Sequence, residues 1–293
     1  MLITNMNSQA TTLKFRDLQR RFDRAAANFD EVDFVHRKIA TGLIDRLDPM
    51  LIDAKCILDV GGATGSASQY LCRRFRRSRV IVLDASYGML RQARKKQMWF
   101  SRTSMVQANA LALPVQTGCV DLVFANLLLP WIDDIQTMFT EVTRVLRRGG
   151  LFIFSTLGRD SLSELREAWK SVDNSPHVNH FSDMHDIGDG LVQAGLYDPV
   201  LDTDFLKVSY RDTSSLFRDL TFVGGRNSIS SRTKTLTGKD RFRNMKRQLD
   251  NRFRDGLLEI KLEIIYGHAW GDRSQQPARE FRVEAAQIRR RQH

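Results

Sequence analysis

The chain has 293 residues, 42% of them hydrophobic, with a net charge of +11 and an isoelectric point near 9.9. This length suffices for one large α/β domain with an insertion or for two small domains, and the hydrophobic content suffices for a hydrophobic core. No apolar run reaches the 18 residues of a membrane-spanning helix, and the N-terminus lacks the basic and apolar regions of a signal peptide. The basic charge favours an acidic partner: nucleic acid, an anionic membrane or an acidic protein.

Apolar residues at helical spacing predict helices within residues 14–50. Short apolar runs then alternate with amphipathic segments. The predicted strands cover residues 56–60, 80–84, 104–108, 122–126 and 151–156, and the predicted helices cover 66–75, 87–95, 135–146 and 162–172. This alternation predicts an α/β fold with a mostly parallel, doubly wound sheet, whose ligands bind beyond the carboxyl ends of the strands.

Residues 147–150, Arg-Arg-Gly-Gly, are typical of a helix end, so we expect them to close the helix before the fifth strand. The pattern is interrupted afterwards, and alternation over 258–266 indicates a late strand. The predicted domains are an N-terminal helical cap (1–50), a core (51–173), an inserted lid or substrate region (174–250), the final strands of the core (251–270) and a flexible basic tail (271–293).

The loop after the first predicted strand is the most informative segment. Asp59 is followed by Gly61, Gly62, Ala63 and Gly65, and the second predicted strand ends in Asp84. Small residues let the backbone approach a ligand, and the helix that follows offers free N–H groups. The second acid is placed to accept hydrogen bonds from ribose hydroxyls. We therefore predict a nucleotide-type cofactor at this loop, against the alternative of an ordinary tight turn.

Two later strand ends supply further candidates. Asn109 follows the third strand and keeps an acceptor oxygen that suits an adenine amino group, although loops often carry asparagine. Asn126 ends the fourth strand, where the reacting group should lie, and Trp131 is placed to wall a pocket or to pack in the core. The three cysteines and six histidines lack metal-ligand spacing, so no metal is predicted; the thiols indicate a reducing, cytoplasmic location.

The loop resembles the D-x-G-x-G-x-G loop of class I S-adenosylmethionine (SAM) methyltransferases, with Ala63 at the middle glycine. Residues 22–30, 126–131, 155–165, 169–177 and 266–270 resemble the malonyl-acyl-carrier-protein O-methyltransferases of biotin synthesis. The resemblance covers roughly residues 15–270. It implies a seven-stranded Rossmann-like sheet with N-terminal helices and an inserted lid, and SAM as cofactor.

The resemblance also implies methyl transfer to the free carboxylate of a malonyl thioester on acyl carrier protein. An arginine is then expected to hold the carboxylate, and Arg159 and Arg166 are the candidates beside Asn126 and Trp131. The carrier is acidic, which agrees with the basic charge; no nucleic acid and no integral membrane contact are expected. Basic lid residues are expected to steer the carrier in; they are Arg241, Arg243, Lys246 and Arg247.

Two departures from the family's pattern stand out. The family commonly has Gly-Cys-Gly where this chain has Gly61, Gly62 and Ala63, and often tyrosine where Phe29 stands. Related proteins leave two alternatives open. One is a SAM-fold enzyme with other chemistry, such as arginine hydroxylation linked to respiratory complex I or methylation of a quinone precursor. The other is a non-catalytic assembly factor.

Overall fold

The apolar runs of the chain form one seven-stranded sheet in the computed structural model, which describes residues 15–97, 102–225 and 238–272. Four of the five predicted early strands match to within two residues at each end. The strands are β1 (Cys56–Val60), β2 (Arg79–Asp84), β3 (Thr103–Gln107), β4 (Val120–Asn126), β5 (Leu146–Leu157), β6 (Tyr197–Tyr210) and β7 (Leu258–Trp270).

The strand order is β3-β2-β1-β4-β5-β7-β6. The first five strands in the chain pair in parallel, whereas β7 runs antiparallel to both β5 and β6. In the register of β1 and β4, Asp59 lies opposite Phe124, so the loops after these neighbouring strands leave the same edge of the sheet. The predicted α/β fold class is confirmed, and this edge is where ligands of such sheets bind.

Helices cover both faces of the sheet. They are α1 (Phe15–Ala25), α2 (Phe29–Val32), α3 (Phe34–Leu47), α4 (Ser66–Arg74), α5 (Tyr87–Lys95), α6 (Ile135–Val145), α7 (Ser163–Lys170), α8 (Met184–Gln193), α9 (Thr213–Phe222) and α10 (Lys239–Asp250). Two large apolar clusters fill the two sides, one around Leu43, Phe124 and Trp169 and the other around Phe139 and Phe152. In the described part of the chain no helix is both long and apolar enough to cross a membrane.

Segment 147–150 corrects one prediction. Helix α6 ends at Val145, and the four residues lie inside β5 rather than closing the helix. Gly149 adopts a left-handed φ of 66°, and its N–H donates to the carbonyl of Asp272. Arg147 forms an ion pair with the buried Asp121. The residues that suggested a helix cap therefore extend the strand through an irregular start, which the register shift between β4 and β5 also shows.

The segment 174–250 contains more of the sheet than its polar sequence suggests. Helix α8 and strand β6 lie within it, and β6 pairs with β7 along most of its length. Helices α9 and α10 fall in its second half. Residues 226–237 lie outside the described residues, as do residues 1–14 of the predicted cap and residues 273–293 of the predicted tail. The division into domains stays a prediction.

Candidate cofactor and substrate site

The glycine-rich loop is fastened to the end of β2. The N–H groups of Gly61 and Gly62 both donate to the carbonyl of Leu83, at 2.7 and 3.1 Å. Gly61 has a φ of 72°, and a Cβ there would lie 2.8 Å from Leu128. A Cβ on Gly62 would lie 2.6 Å from Val82. Both glycines are therefore required by the backbone and its neighbours, and Ala63 takes the unfavourable left-handed φ of 47° with a side chain present.

Asp84 and Asp59 stand at the ends of β2 and β1. Asp84 accepts hydrogen bonds from the N–H of Ala63 at 3.0 Å and of Ser86 at 2.8 Å. Burial, opposed by these bonds, raises the pKa of Asp84 to about 6. Burial raises the pKa of Asp59 to about 7, although the Ser68 hydroxyl donates to it. Both acids lie where the sequence predicts them, and both are held by the protein before any ligand arrives.

The chemistry of this acid set fits SAM, whose methionine end carries an ammonium group and a sulfonium. Asp33 and Asp59 line a small cavity of about 30 Å³ under the loop. Both are about 1% exposed, and burial raises the pKa of each. Asp33 pairs with Arg37 at 2.9 Å, but no ion pair of the described residues reaches Asp59. A buried carboxylate without a cation is costly, and a cationic ligand would relieve that cost.

The cavity under the loop holds about one water, so it can take only a small part of the cofactor. The helices α1 and α2, which belong to the predicted N-terminal helical cap (1–50) and which we call the cap, lie over this edge. Asp23 accepts from the Ser86 hydroxyl at 2.6 Å and from the N–H of Gly88 at 2.8 Å. Asp30 pairs with Lys96 at 2.6 Å. These contacts hold the cap closed across the end of β2.

Asn126 ties the end of β4 to its neighbours. Its Nδ2 donates to the carbonyl of His36 at 3.0 Å, and its Oδ1 accepts from the Ser155 hydroxyl at 2.9 Å. The N–H of Leu127 donates to Ser155 Oγ at 3.0 Å. Asn109, by contrast, closes a local turn in which its Oδ1 accepts from the N–H of Leu111 at 3.0 Å. The ligand contacts predicted for Asn109 and Asn126 stay predictions.

A second cavity, of about 740 Å³, extends from the end of β4 to α9 and α10. Its walls are mainly apolar, and Trp131 lines it, packing edge-on against Phe22 of the cap with ring centroids 5.1 Å apart. Neither Arg159 nor Arg166 lines this cavity. Arg159 pairs with Asp183 at 3.1 Å, and Arg166 donates to two backbone carbonyls. The structure thus brings Trp131 to the cavity and places both predicted arginines elsewhere.

The cavity is also lined by polar side chains to which the sequence analysis assigned no catalytic or cofactor-binding role. His177 lies 2.7 Å from Asp173 and stacks on Trp169, with ring centroids 3.7 Å apart. Arg241 of α10 reaches Asp173 at 3.7 Å. His36 of α3 lines both cavities, and its Nδ1 is buried without a hydrogen-bond partner in the described structure. No sequence motif marks His36, because it lies before the glycine-rich loop in the chain. Its position beside the cavities depends on how α3 packs against the sheet.

Comparison with known proteins agrees with this geometry. A family profile described as a methyltransferase domain matches residues 58–154. The chain is similar to a malonyl-[acyl-carrier protein] O-methyltransferase of Gallionella capsiferriformans, at 36% identity over 86% of this chain and 89% of the relative. A protein of the same description, numbered 1, from Coxiella burnetii is 40% identical over 88% of each chain.

Among solved structures, the YcgJ protein of Bacillus subtilis superposes with a TM-score of 0.59. It covers 79% of this chain and 98% of its own length at 16% identity. A likeness at that identity shows the fold alone. The similarity to the curated relatives, in contrast, extends beyond the methyltransferase profile on both sides.

Proposed function

This chain belongs to the malonyl-[acyl-carrier protein] O-methyltransferase family, and from that premise we propose how its two cavities serve one reaction. The protein is a SAM-dependent methyltransferase. Its reaction is methyl transfer to the free carboxylate of a malonyl thioester on acyl carrier protein, giving the methyl ester used in biotin synthesis. The observation that carries the proposal is the placement of the 740 Å³ apolar cavity directly beside the acid-lined loop.

The residues at the loop would hold the cofactor. Asp84 has free acceptor capacity at the end of β2, and Asp59 offers a buried carboxylate near Gly61 and Gly62. SAM supplies an electrophilic methyl group on a positively charged sulfur. The roles of Asp59, Gly61, Gly62, Ala63, Gly65, Asp84, Asn109 and Asn126 in binding it are part of the proposal.

The large cavity would take the malonyl group and the arm that carries it. A carboxylate has a pKa near 4 and is already ionised at neutral pH, so the chain need not provide a general base. What it must provide is alignment and a dry site. Leu127 and Trp131 form an apolar wall at the end of β4, and Phe217 and Phe242 close the opposite side from α9 and α10. Within this cavity Trp131 excludes water.

The carrier protein would dock on α10. This helix buries Met245 and Leu249 and turns its charged residues outward. Arg241 and Arg243 already pair with acids, whereas the ion pairs of the described residues leave Lys246 and Arg247 unused. Because acyl carrier proteins are acidic, cations beside the cavity mouth would steer the carrier and its thioester toward the opening.

The experiment that tests this function is the intact mass of malonyl-acyl carrier protein after incubation with SAM and the protein. A gain of one methyl group that mild alkali removes, as it removes an ester, is the expected result. Binding of SAM without any gain would instead favour other chemistry on the same fold, such as arginine hydroxylation. Absence of both SAM binding and the gain in mass would favour the assembly-factor alternative.

A further inference from the structure

His36 is the one described residue that lines both cavities. It stands in the first turn of α3, between the acid-lined loop and the apolar substrate cavity. Its Nδ1 is buried and has no hydrogen-bond partner in the described structure. Native proteins rarely leave a buried polar nitrogen unpaired, and such an atom in a residue that lines two cavities is a candidate for a bond to a ligand.

The imidazole is held in place from two sides. Its ring packs edge-on against Phe29, with centroids 5.1 Å apart. Its own backbone carbonyl accepts from Asn126, whose Oδ1 is fixed by Ser155. The ring therefore has a defined position relative to the end of β4, and none of the described residues forms a hydrogen bond with Nδ1.

Burial lowers the pKa of His36 to about 4, so the ring is neutral at pH 7. A neutral imidazole donates from one nitrogen only. At the meeting point of a cationic cofactor and an anionic substrate, a neutral donor orients the carboxylate without adding a charge that would repel the sulfonium. A fixed arginine or lysine at this position would orient the carboxylate but would also repel the sulfonium.

The large cavity contains a second buried atom without a hydrogen-bond partner in the described structure, Oδ1 of Asp219, but an acidic side chain does not suit an anionic substrate. Arg241 is the only arginine or lysine among its described lining residues, and it pairs with Asp173 on the α10 side. His177 also bonds Asp173 and is stacked on Trp169. None of these residues lines the small cavity under the loop. Among the described residues, His36 is thus the side chain that lines both cavities and can donate a hydrogen bond to a substrate group approaching the cofactor.

We propose that the His36 imidazole donates a hydrogen bond to the malonyl carboxylate and so determines the preference of this enzyme for a free acid over a neutral acyl group. The proposal rests on the function proposed above. It assigns His36 a role in substrate selection and in alignment of the attacking oxygen, with no proton transferred.

The test compares two carrier proteins by calorimetric titration in the presence of S-adenosylhomocysteine, so that no turnover occurs. One carries malonate and the other carries isovalerate, which has the same branched shape without charge. We expect His36→Leu to weaken malonyl-carrier binding about tenfold and to change isovaleryl-carrier binding less than twofold. His36→Gln, which keeps an amide donor, should retain the preference, and His180→Leu, exposed and outside both cavities, should bind like the wild type.

Equal losses for both carriers in His36→Leu would show a merely structural role and overturn the proposal. An unchanged preference would do the same, because the carboxylate would then be held elsewhere. Either result alongside an active wild type leaves the methyltransferase function intact. A wild type that binds S-adenosylhomocysteine but never methylates malonyl carrier would refute that function instead.

Discussion

Replacing Asn126 with leucine should destabilise the protein by about 2–4 kcal/mol. The side chain makes two neutral hydrogen bonds, from Nδ2 to the His36 carbonyl at 3.0 Å and from Ser155 Oγ to Oδ1 at 2.9 Å. Each contributes about 1 kcal/mol net, and a buried group left without its partner costs about 1–3 kcal/mol. Ser155 is fully buried, so water cannot replace the lost acceptor. The apolar leucine offsets a part of this loss through its own burial.

The assay is urea unfolding of the wild type, Asn126→Leu, Ser155→Ala and the double variant. The two residues touch, so the cycle should show a coupling energy of about 1 kcal/mol. Asn244→Ala, exposed on α10, is the matched control and should lie within about 0.5 kcal/mol of the wild type. A loss below about 1 kcal/mol for Asn126→Leu, or additive single losses, would refute the reasoning that this network joins α3, β4 and β5.

Three further predictions follow from the site. Gly62→Ala should lower the free energy of unfolding by about 1–3 kcal/mol because its Cβ would lie 2.6 Å from Val82. Gly238→Ala, with open space around it, should be nearly neutral, and equal melting temperatures for the two variants would contradict this reasoning. Replacing Lys246 and Arg247 together with glutamate should lower kcat/KM for malonyl-acyl carrier protein several-fold at low salt and leave the Kd for SAM unchanged. A loss in kcat/KM of the same size at low and high salt would argue against electrostatic steering. Burial raises the pKa of Asp59 to about 7, so the folded state retains a proton that the unfolded state releases near pH 4. Without ligand, the free energy of unfolding should therefore fall as pH rises from about 4 to 7, and Asp59→Asn should remove that contribution; parallel pH profiles for the two proteins would be the opposing result.

Strands β1 and β4 of the parallel half could be predicted from the sequence because they are almost entirely buried on both faces. Residues 122–125 of β4 are a continuous apolar run, and only the first two residues of this strand escaped prediction. Strand β6 was not predicted, because it lies at the sheet edge with most of its side chains exposed and reads as a polar loop. The start of β5 was mistaken for a helix end because arginines and glycines serve both roles, and only contacts distant in sequence, such as those of Gly149 with Asp272 and of Arg147 with Asp121, distinguish them.

The site divides in the same way. Asp59 and Asp84 follow from local spacing, since the single unit formed by β1, α4 and β2 places both. Arg159 was a candidate for the carboxylate because it follows β5, yet its partner Asp183 lies 24 residues later and draws the guanidinium away from the cavity. His36 escaped prediction because its position depends on α3 packing against β4. Groups fixed by one local unit could be predicted, and groups fixed by distant packing could not.

The cap described above has a kinetic consequence. Asp23 binds the turn after β2, and its neighbour Phe22 packs on Trp131 in the wall of the large cavity. One helix, α1, therefore covers the cofactor edge and supports the substrate wall together. We expect the exchange of spent for fresh cofactor to move this helix, and that movement would also loosen the wall around the acyl group. The two ligands cannot come and go independently, so turnover should follow an order in which the cofactor enters first and leaves last.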